Sequence, residues 1–313
     1  MSSVPVLSGR HVEQAVSPAQ AVEAVRDAFI AHAAGEWQMP PKVYVTNYPA
    51  GDFRAMPAIG GGFALLKWVT SFPGNPGRGL PTVTGVVLLS SADDGRLLAV
   101  LDAAAVTALR TGAAAVLAAE TLGRGAAESA AVVGAGVNGR AAARTFLARG
   151  RRVSLWDVDE TRARAVADEL GADVAPSLET ALAADLVVTV TPGHSVLLRE
   201  GTLRPGQHVS LMGADGPGKA EADEAELARV RLFCDDWEQA SHSGDIARAA
   251  EAGRLTRDGV TQLGDVLRGT ATGRRADDEI TAFDSTGLAI QDLAIAVAAL
   301  ERADVASLPQ LDL

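Results

Sequence analysis

The stretch Ala130-Ala-Val-Val-Gly-Ala-Gly-Val-Asn-Gly139 decides the fold. Four small apolar residues without a polar break read as a buried strand. Gly134, Gly136 and Gly139 follow at once, and a helical pattern opens at Arg140 to Ala148. Gly134 permits the tight turn, Gly136 lets a pyrophosphate approach the backbone, and Gly139 lets helix and strand pack closely. Val137 and Asn138 lie between them, where the N–H groups of a helix start face bound phosphates. Asp157 stands 21 residues beyond Gly136, at the end of a second strand, Val153 to Trp156. A carboxylate there accepts hydrogen bonds from a ribose diol and repels a 2′-phosphate, so the motif predicts NAD over NADP. Arg162 is near enough in sequence to allow some NADP use.

Working outward, strands and helices alternate from residue 129 to about 290. Thr161 to Leu170 reads as a helix, Leu186 to Thr191 as a strand, His208 to Met212 as a strand, Glu221 to Ala228 as a helix and Val230 to Cys234 as a strand. This alternation predicts a largely parallel sheet with helices on both faces. Upstream, Ser17-Pro18 opens a helix, followed by extended segments at Lys42 to Thr46, Arg54 to Ile59, Phe63 to Ser71 and Thr82 to Leu89. Gly51-Asp52 and Asp94-Gly95 are the expected turns. Pro73 to Pro81 reads as an irregular loop. An alanine-rich helix runs from Ala103 to Leu122, with Asp102 as a candidate cap, and a last helix spans Ala289 to Leu300. The predicted fold is α/β. A Rossmann-type domain (121–290) is joined to a discontinuous α+β substrate-binding and dimerisation domain (1–120), to which a C-terminal helix (291–313) returns.

Composition narrows the function. The 313 residues carry a net charge of −11, only 4% aromatics and a mean hydropathy of +0.13. That excludes a disordered chain and disfavours nucleic-acid or anionic-membrane partners. No secretory leader and no membrane span is expected, so the expected location is the cytoplasm. The single cysteine, Cys234, reads as a core residue. The five histidines form no metal-ligating spacing, so no metal is expected. His242 is a weak active-site candidate.

Candidate chemistry begins with Lys67. It interrupts Phe63-Ala-Leu-Leu-Lys-Trp-Val69, so it is either an edge-strand lysine or a residue paired for proton chemistry. Arg54 either binds a carboxylate or makes a surface ion pair. Arg110, in a helix of small residues, can reach a phosphate or carboxylate. Asp215 follows a strand end, where open α/β sheets place their chemistry, although a turn-forming role stays open. Thr191 stands at a similar strand end, suited to touch a cofactor.

Several separate stretches then carry a family resemblance: Met39-Pro-Pro-Lys-Val-Tyr-Val45, Gly51-Asp-Phe-Arg-Ala-Met-Pro57, Leu66-Lys-Trp-Val69, Gly79-Leu-Pro-Thr82, Leu109-Arg-Thr-Gly-Ala-Ala114, Gly213-Ala-Asp-Gly-Pro-Gly-Lys219 and Phe283-Asp-Ser-Thr-Gly-Leu-Ala-Ile-Gln-Asp292. Over nearly its whole length the chain resembles the ornithine cyclodeaminase and mu-crystallin family, and within it the archaeal-type alanine dehydrogenases. The resemblance implies a homodimer that interconverts L-alanine and NAD with pyruvate, ammonia and NADH. Lys67 matches the family's active-site lysine, Asp215 its acid–base aspartate and Arg110 its carboxylate-binding arginine. Lys42 replaces an arginine of the cyclodeaminase branch, which disfavours ornithine cyclisation. Arg54 and Thr82 would help to hold substrate. Thr111, Val137, Asn138, Met212, Gly213, Ser285 and Gly287 would surround the cofactor. The alternatives are reduction of another small or cyclic imino acid, a cyclodeaminase, or a crystallin-like binder without turnover.

Overall fold

The computed structural model describes residues 3–216 and 218–313. The chain forms two compact units, one made of the residues up to Arg110 together with Leu288–Leu313, the other of Thr111–Gly287.

The first unit opens with β1 (Ser3–Leu7), α1 (Gly9–Ala15) and α2 (Pro18–Ala33). Ser17 caps α2: its hydroxyl accepts from the Gln20 N–H while the Gln20 side chain accepts from the Ser17 N–H, and Pro18 starts the helix. Then come β2 (Val43–Asn47), β3 (Gly51–Gly60), β4 (Phe63–Ser71), β5 (Val83–Ser91) and β6 (Leu97–Asp102). The Pro73–Pro81 loop contains one short 3₁₀ turn at Asn75–Arg78. Gly51-Asp52 is not the expected turn. The turn is closed one step earlier, by the Ala50 N–H on the Asn47 carbonyl, and Gly51-Asp52 begins β3. A side chain at Gly51 would lie 2.3 Å from the Ser71 carbonyl on the neighbouring strand, so glycine there serves strand packing.

Helix α3 (Ala103–Leu122) carries the chain out of this unit, its start capped by Asp102, which accepts from the Ala105 N–H. Although Arg110 and Glu120 interrupt its sequence, α3 is long and apolar enough to cross a bilayer. It is the one such helix among the described residues, and most of it is buried as a core helix.

The second unit continues with β7 (Ala130–Val133), α4 (Val137–Ala148), β8 (Val153–Trp156), α5 (Glu160–Leu170), β9 (Asp173–Val174), α6 (Leu178–Leu182), β10 (Leu186–Thr189) and β11 (His208–Leu211). After these come α7 (Glu224–Leu227), β12 (Arg231–Cys234), α8 (Trp237–Ser243), α9 (Ala247–Glu251), β13 (Val260–Gln262), α10 (Leu263–Leu267) and β14 (Thr281–Asp284). The expected helix over Glu221 to Ala228 is shorter than its pattern. Asp223 accepts from the Glu226 N–H as an N-cap, and Glu221 lies before the helix, fully buried. All eight strands are parallel, in the order β13-β12-β14-β11-β10-β7-β8-β9. The winding direction reverses between β7 and β10, the place where such sheets receive ligands. This is a Rossmann-like architecture. A side chain at Gly112 would meet the Ala141 backbone at 2.7 Å, which shows how closely α3 approaches α4.

The chain returns to the first unit through α11 (Ala289–Arg302) and β15 (Gln310–Asp312). The seven-stranded sheet there runs β15-β1-β6-β5-β4-β3-β2. α11 packs on α2 and on β3 and β4. Strand alternation separates two faces. The inner face carries Tyr44, Arg54, Met56, Lys67, Val69 and Val87, the outer Val43, Val45, Ala55, Leu66, Trp68 and Val86.

Candidate active site

Two separate constructions carry the candidate chemistry, one in each unit. In the first, Lys67 projects from the centre of β4 into the interior, 1% exposed. Its cross-strand neighbours are Met56 and Val87. The ammonium donates to Asp292 Oδ2 at 2.6 Å and to Thr107 Oγ1 at 3.3 Å. Asp292 sits in the first turn of α11 and is fully buried, and its other oxygen accepts from Arg110 Nε at 3.2 Å. Arg110 also reaches Gln291 Oε1 at 3.5 Å, and that oxygen accepts from the Leu288 N–H at the start of α11. Burial pushes the Lys67 ammonium down from its ordinary value to about 7. Asp292 pulls it up, while Arg110 and Lys42 push it further down. Lys42, Lys67 and Arg110 therefore share one electrostatic neighbourhood.

Arg54, on the same sheet face, pairs with Asp52 at 2.6 Å and lies over the Tyr44 ring at 5.4 Å. It is a largely buried ion pair and not the surface one that its sequence also allowed. Thr82 precedes β5, and its carbonyl accepts from the Phe72 N–H at 2.8 Å.

In the second unit the glycine loop has the shape its spacing requires. Gly134 has φ +105°, and a side chain there would meet the Val190 carbonyl at 2.6 Å. At Gly139 a side chain would lie 1.7 Å from the Gly134 carbonyl, so helix and loop touch only because residue 139 is glycine. Gly136 caps α4 and has open space around it, with Val137 and Asn138 behind it in the first turn. Asp157 Oδ2 accepts from the Ala135 N–H at 2.7 Å and Oδ1 from the Asp159 N–H at 2.9 Å. Arg162 lies 3.5 Å from Asp157 and 3.3 Å from Asp159. An open helix start beside a fixed carboxylate suits a dinucleotide's pyrophosphate and ribose.

The loops beyond β10 and β11 are joined by one residue that sequence reading placed in a helix. Glu221 accepts from Thr189 Oγ1 (2.7 Å), the Thr191 N–H (2.8 Å), Thr191 Oγ1 (2.7 Å) and the Gly213 N–H (2.8 Å). Thr191 and Gly213 are thereby brought together, with Met212 buried beside them. Asp245 in turn accepts from the Glu221 and Ala222 N–H groups, and Asp284 from those of Asp245 and Ile246. Asp235 holds the Ser285–Gly287 turn through Ser285 Oγ and the Thr286 and Gly287 N–H groups. Asp215 is part-exposed and pairs with Lys219 at 2.6 Å. Thr111 is buried. His242 is exposed, its ring bonded to the Glu238 carbonyl and the Ser241 hydroxyl, which gives it a local structural role.

A family model described as the ornithine cyclodeaminase/mu-crystallin family matches residues 4–306. The chain belongs to that family. Alanine dehydrogenase of Archaeoglobus fulgidus is 41% identical to it over 312 residues, covering 95% of this chain and 94% of that protein. Among solved structures, an archaeal alanine dehydrogenase dimer with bound NAD superposes with a TM-score of 0.93 at 38% identity, over 99% of each chain. Thermococcus litoralis Δ1-pyrroline-2-carboxylate reductase, solved with NADH and L-proline, gives 0.91 at 25% identity over 99% of this chain and all of that one. The fold of this family member is thus that of NAD-binding oxidoreductases acting on CH–NH2 and C=N groups.

Sequence reading missed Asp292, Glu221, Asp235, Asp245 and Asp284. Asp292 left the same signal as Lys67, a lone charge inside an apolar element, Leu288-Ala-Ile-Gln-Asp-Leu293.

Proposed function

We propose that this protein is an NAD-dependent amino-acid dehydrogenase that interconverts L-alanine, NAD and water with pyruvate, ammonia and NADH. The observation that carries this reading is the buried Lys67, bonded at 2.6 Å to an acid whose other oxygen holds Arg110. The 41% identity to an alanine dehydrogenase along nearly the whole chain supports the substrate. The glycine loop and Asp157 would hold the dinucleotide, which as NADH would supply, and as NAD accept, the hydride at the α-carbon. Arg110, with Lys42 and Arg54, receives the substrate carboxylate. Lys67 donates a hydrogen bond to the 2-oxo oxygen and stabilises the charge that develops there as ammonia adds. A proton from the added nitrogen makes that oxygen a hydroxyl, and Lys67 then gives it a second proton, so that it leaves as water and an iminium carbon remains to take the hydride. A group titrating near 7 is well placed for both roles at neutral pH. Asp215 exchanges protons with ammonia and water. Thr82 lies with the substrate, and Thr111, Thr191, Met212, Gly213, Ser285 and Gly287 with the cofactor.

The test is NADH oxidation with ammonia and pyruvate, glyoxylate, 2-oxobutyrate or oxaloacetate, run beside preformed cyclic imino acids and ornithine. Preferred turnover of pyruvate is the expected result. No turnover of any 2-oxo acid removes the dehydrogenase reading. A second reading, reduction of a cyclic imino acid without ammonia, is favoured by the likeness to the pyrroline-carboxylate reductase.

Assembly as a homodimer is part of the proposal. Val43, Val45, Ile59, Leu66 and Trp68 form an exposed apolar face on β2–β4, larger than single scattered side chains would make. A second copy of the chain is its natural cover. Trp68→Glu is expected to give monomers in sedimentation analysis, and an unchanged dimer would refute the assignment of this face.

A further inference from the structure

Lys42, Lys67 and Arg110 act on one another electrostatically. Lys42 precedes β2, Arg110 comes from α3 and Lys67 from β4, while Arg54 on β3 is matched by its own Asp52. The other neighbours of Lys67 on β3 and β5, Met56 and Val87, are apolar, and Thr107 of α3 is neutral. Asp292 bonds two of these cations at once, with one oxygen on Lys67 at 2.6 Å and the other on Arg110 at 3.2 Å. It is fully buried, and the start of α11 supports its negative charge.

We propose that Asp292 is the positioning residue of this centre, holding Lys67 charged as a proton donor and Arg110 aligned as an anion receptor, and so fixing the upper pH limit of turnover. The inference about turnover rests on the dehydrogenase reading, whereas the control of Lys67 does not. Neutralising Asp292 leaves the buried lysine with the repulsion of Arg110 and Lys42, so it releases its proton at lower pH. Removing Arg110 does the reverse.

The sequence contains only three lysines, Lys42, Lys67 and Lys219, which makes the test direct. The full chain, labelled with carbon-13 at lysine Cε, gives three signals, and that of Lys67 is assigned by Lys67→Arg. In Asp292→Asn the Lys67 titration is expected to fall by about one to three pH units. In Arg110→Gln it is expected to rise, which keeps the proposal falsifiable if Asp292→Asn does not fold. The alkaline limb of kcat/KM for reductive amination should move down with the Asp292→Asn titration, and Asp292→Glu should restore its position. A Lys67 titration unmoved by Asp292→Asn, or one that falls in Arg110→Gln, overturns the proposal. A natural chain without turnover, in which Lys67 still titrates as described, refutes the dehydrogenase reading alone.

Discussion

Lys67 in the first unit and Asp245 in the second are both buried, and burial moves both to about 7, from opposite sides. Burial drives the lysine down toward neutrality, and Asp292 pulls it back. Burial drives the aspartate up, the negative Glu221 drives it further, and the Ala222 and Glu221 N–H groups oppose both. The first centre pairs charges of opposite sign. The second is a chain of acids, Glu221, Asp245 and Asp284, whose oxygens are met mainly by backbone N–H groups. Burial pushes the Glu221 and Asp284 carboxyls up as well. In the proposed function the first centre keeps a movable proton beside an anion receptor. Acids that each fasten the next loop's backbone are built to hold shape, here the strand ends that carry Thr191 and Gly213.

This contrast can be broken by substitution. The largest effect is expected from Lys67→Ala, which should lower kcat/KM by about 10²–10⁴ and leave NADH binding, read by fluorescence, unchanged. Equal loss of NADH binding would dissolve the division of labour. Glu221→Gln should act the other way. One of its two oxygens becomes an amide N–H2 facing N–H or hydroxyl donors, which costs about 1–3 kcal/mol of stability. The KM for NADH should rise while the Lys67 titration stays in place. A shifted lysine titration would show that the acid chain also tunes the proton donor.

The pH dependence of stability separates the two groups by sign. Asp245 holds its proton in the folded state up to about 7, against 3.8 ordinarily, so its contribution to stability falls as pH rises through that window. Asp245→Asn should flatten that fall in thermal melts. Lys67 loses its proton near 7 in the folded state, against 10.5 ordinarily, so its contribution to stability rises with pH between those values. Lys67→Met should remove that rise. Parallel slopes for the two variants would contradict the opposed shifts described above.

What was legible in the sequence follows the same division. The strand–glycine–helix unit at Ala130–Ala148 is local chemistry, and the structure reproduces it with Gly134 in the left-handed region. Lys67 was legible as a charge inside an apolar strand. Its partner was not, because Asp292 lies 225 residues away and only the return of α11 to the first unit joins them. Glu221 was misplaced because its periodicity continues the helix beyond the Asp223 cap, while its burial depends on loops from two other strands. Gly51-Asp52 has turn composition, but the neighbouring Ser71 carbonyl claims the glycine for the sheet.

The most direct test compares the natural chain with Lys67→Ala in steady-state NADH oxidation with pyruvate and ammonia, alongside NADH binding. Turnover by the natural chain, its loss in the variant and equal NADH binding in both are the expected result. Comparable turnover by both chains would contradict the assignment of Lys67 as the proton-donating centre.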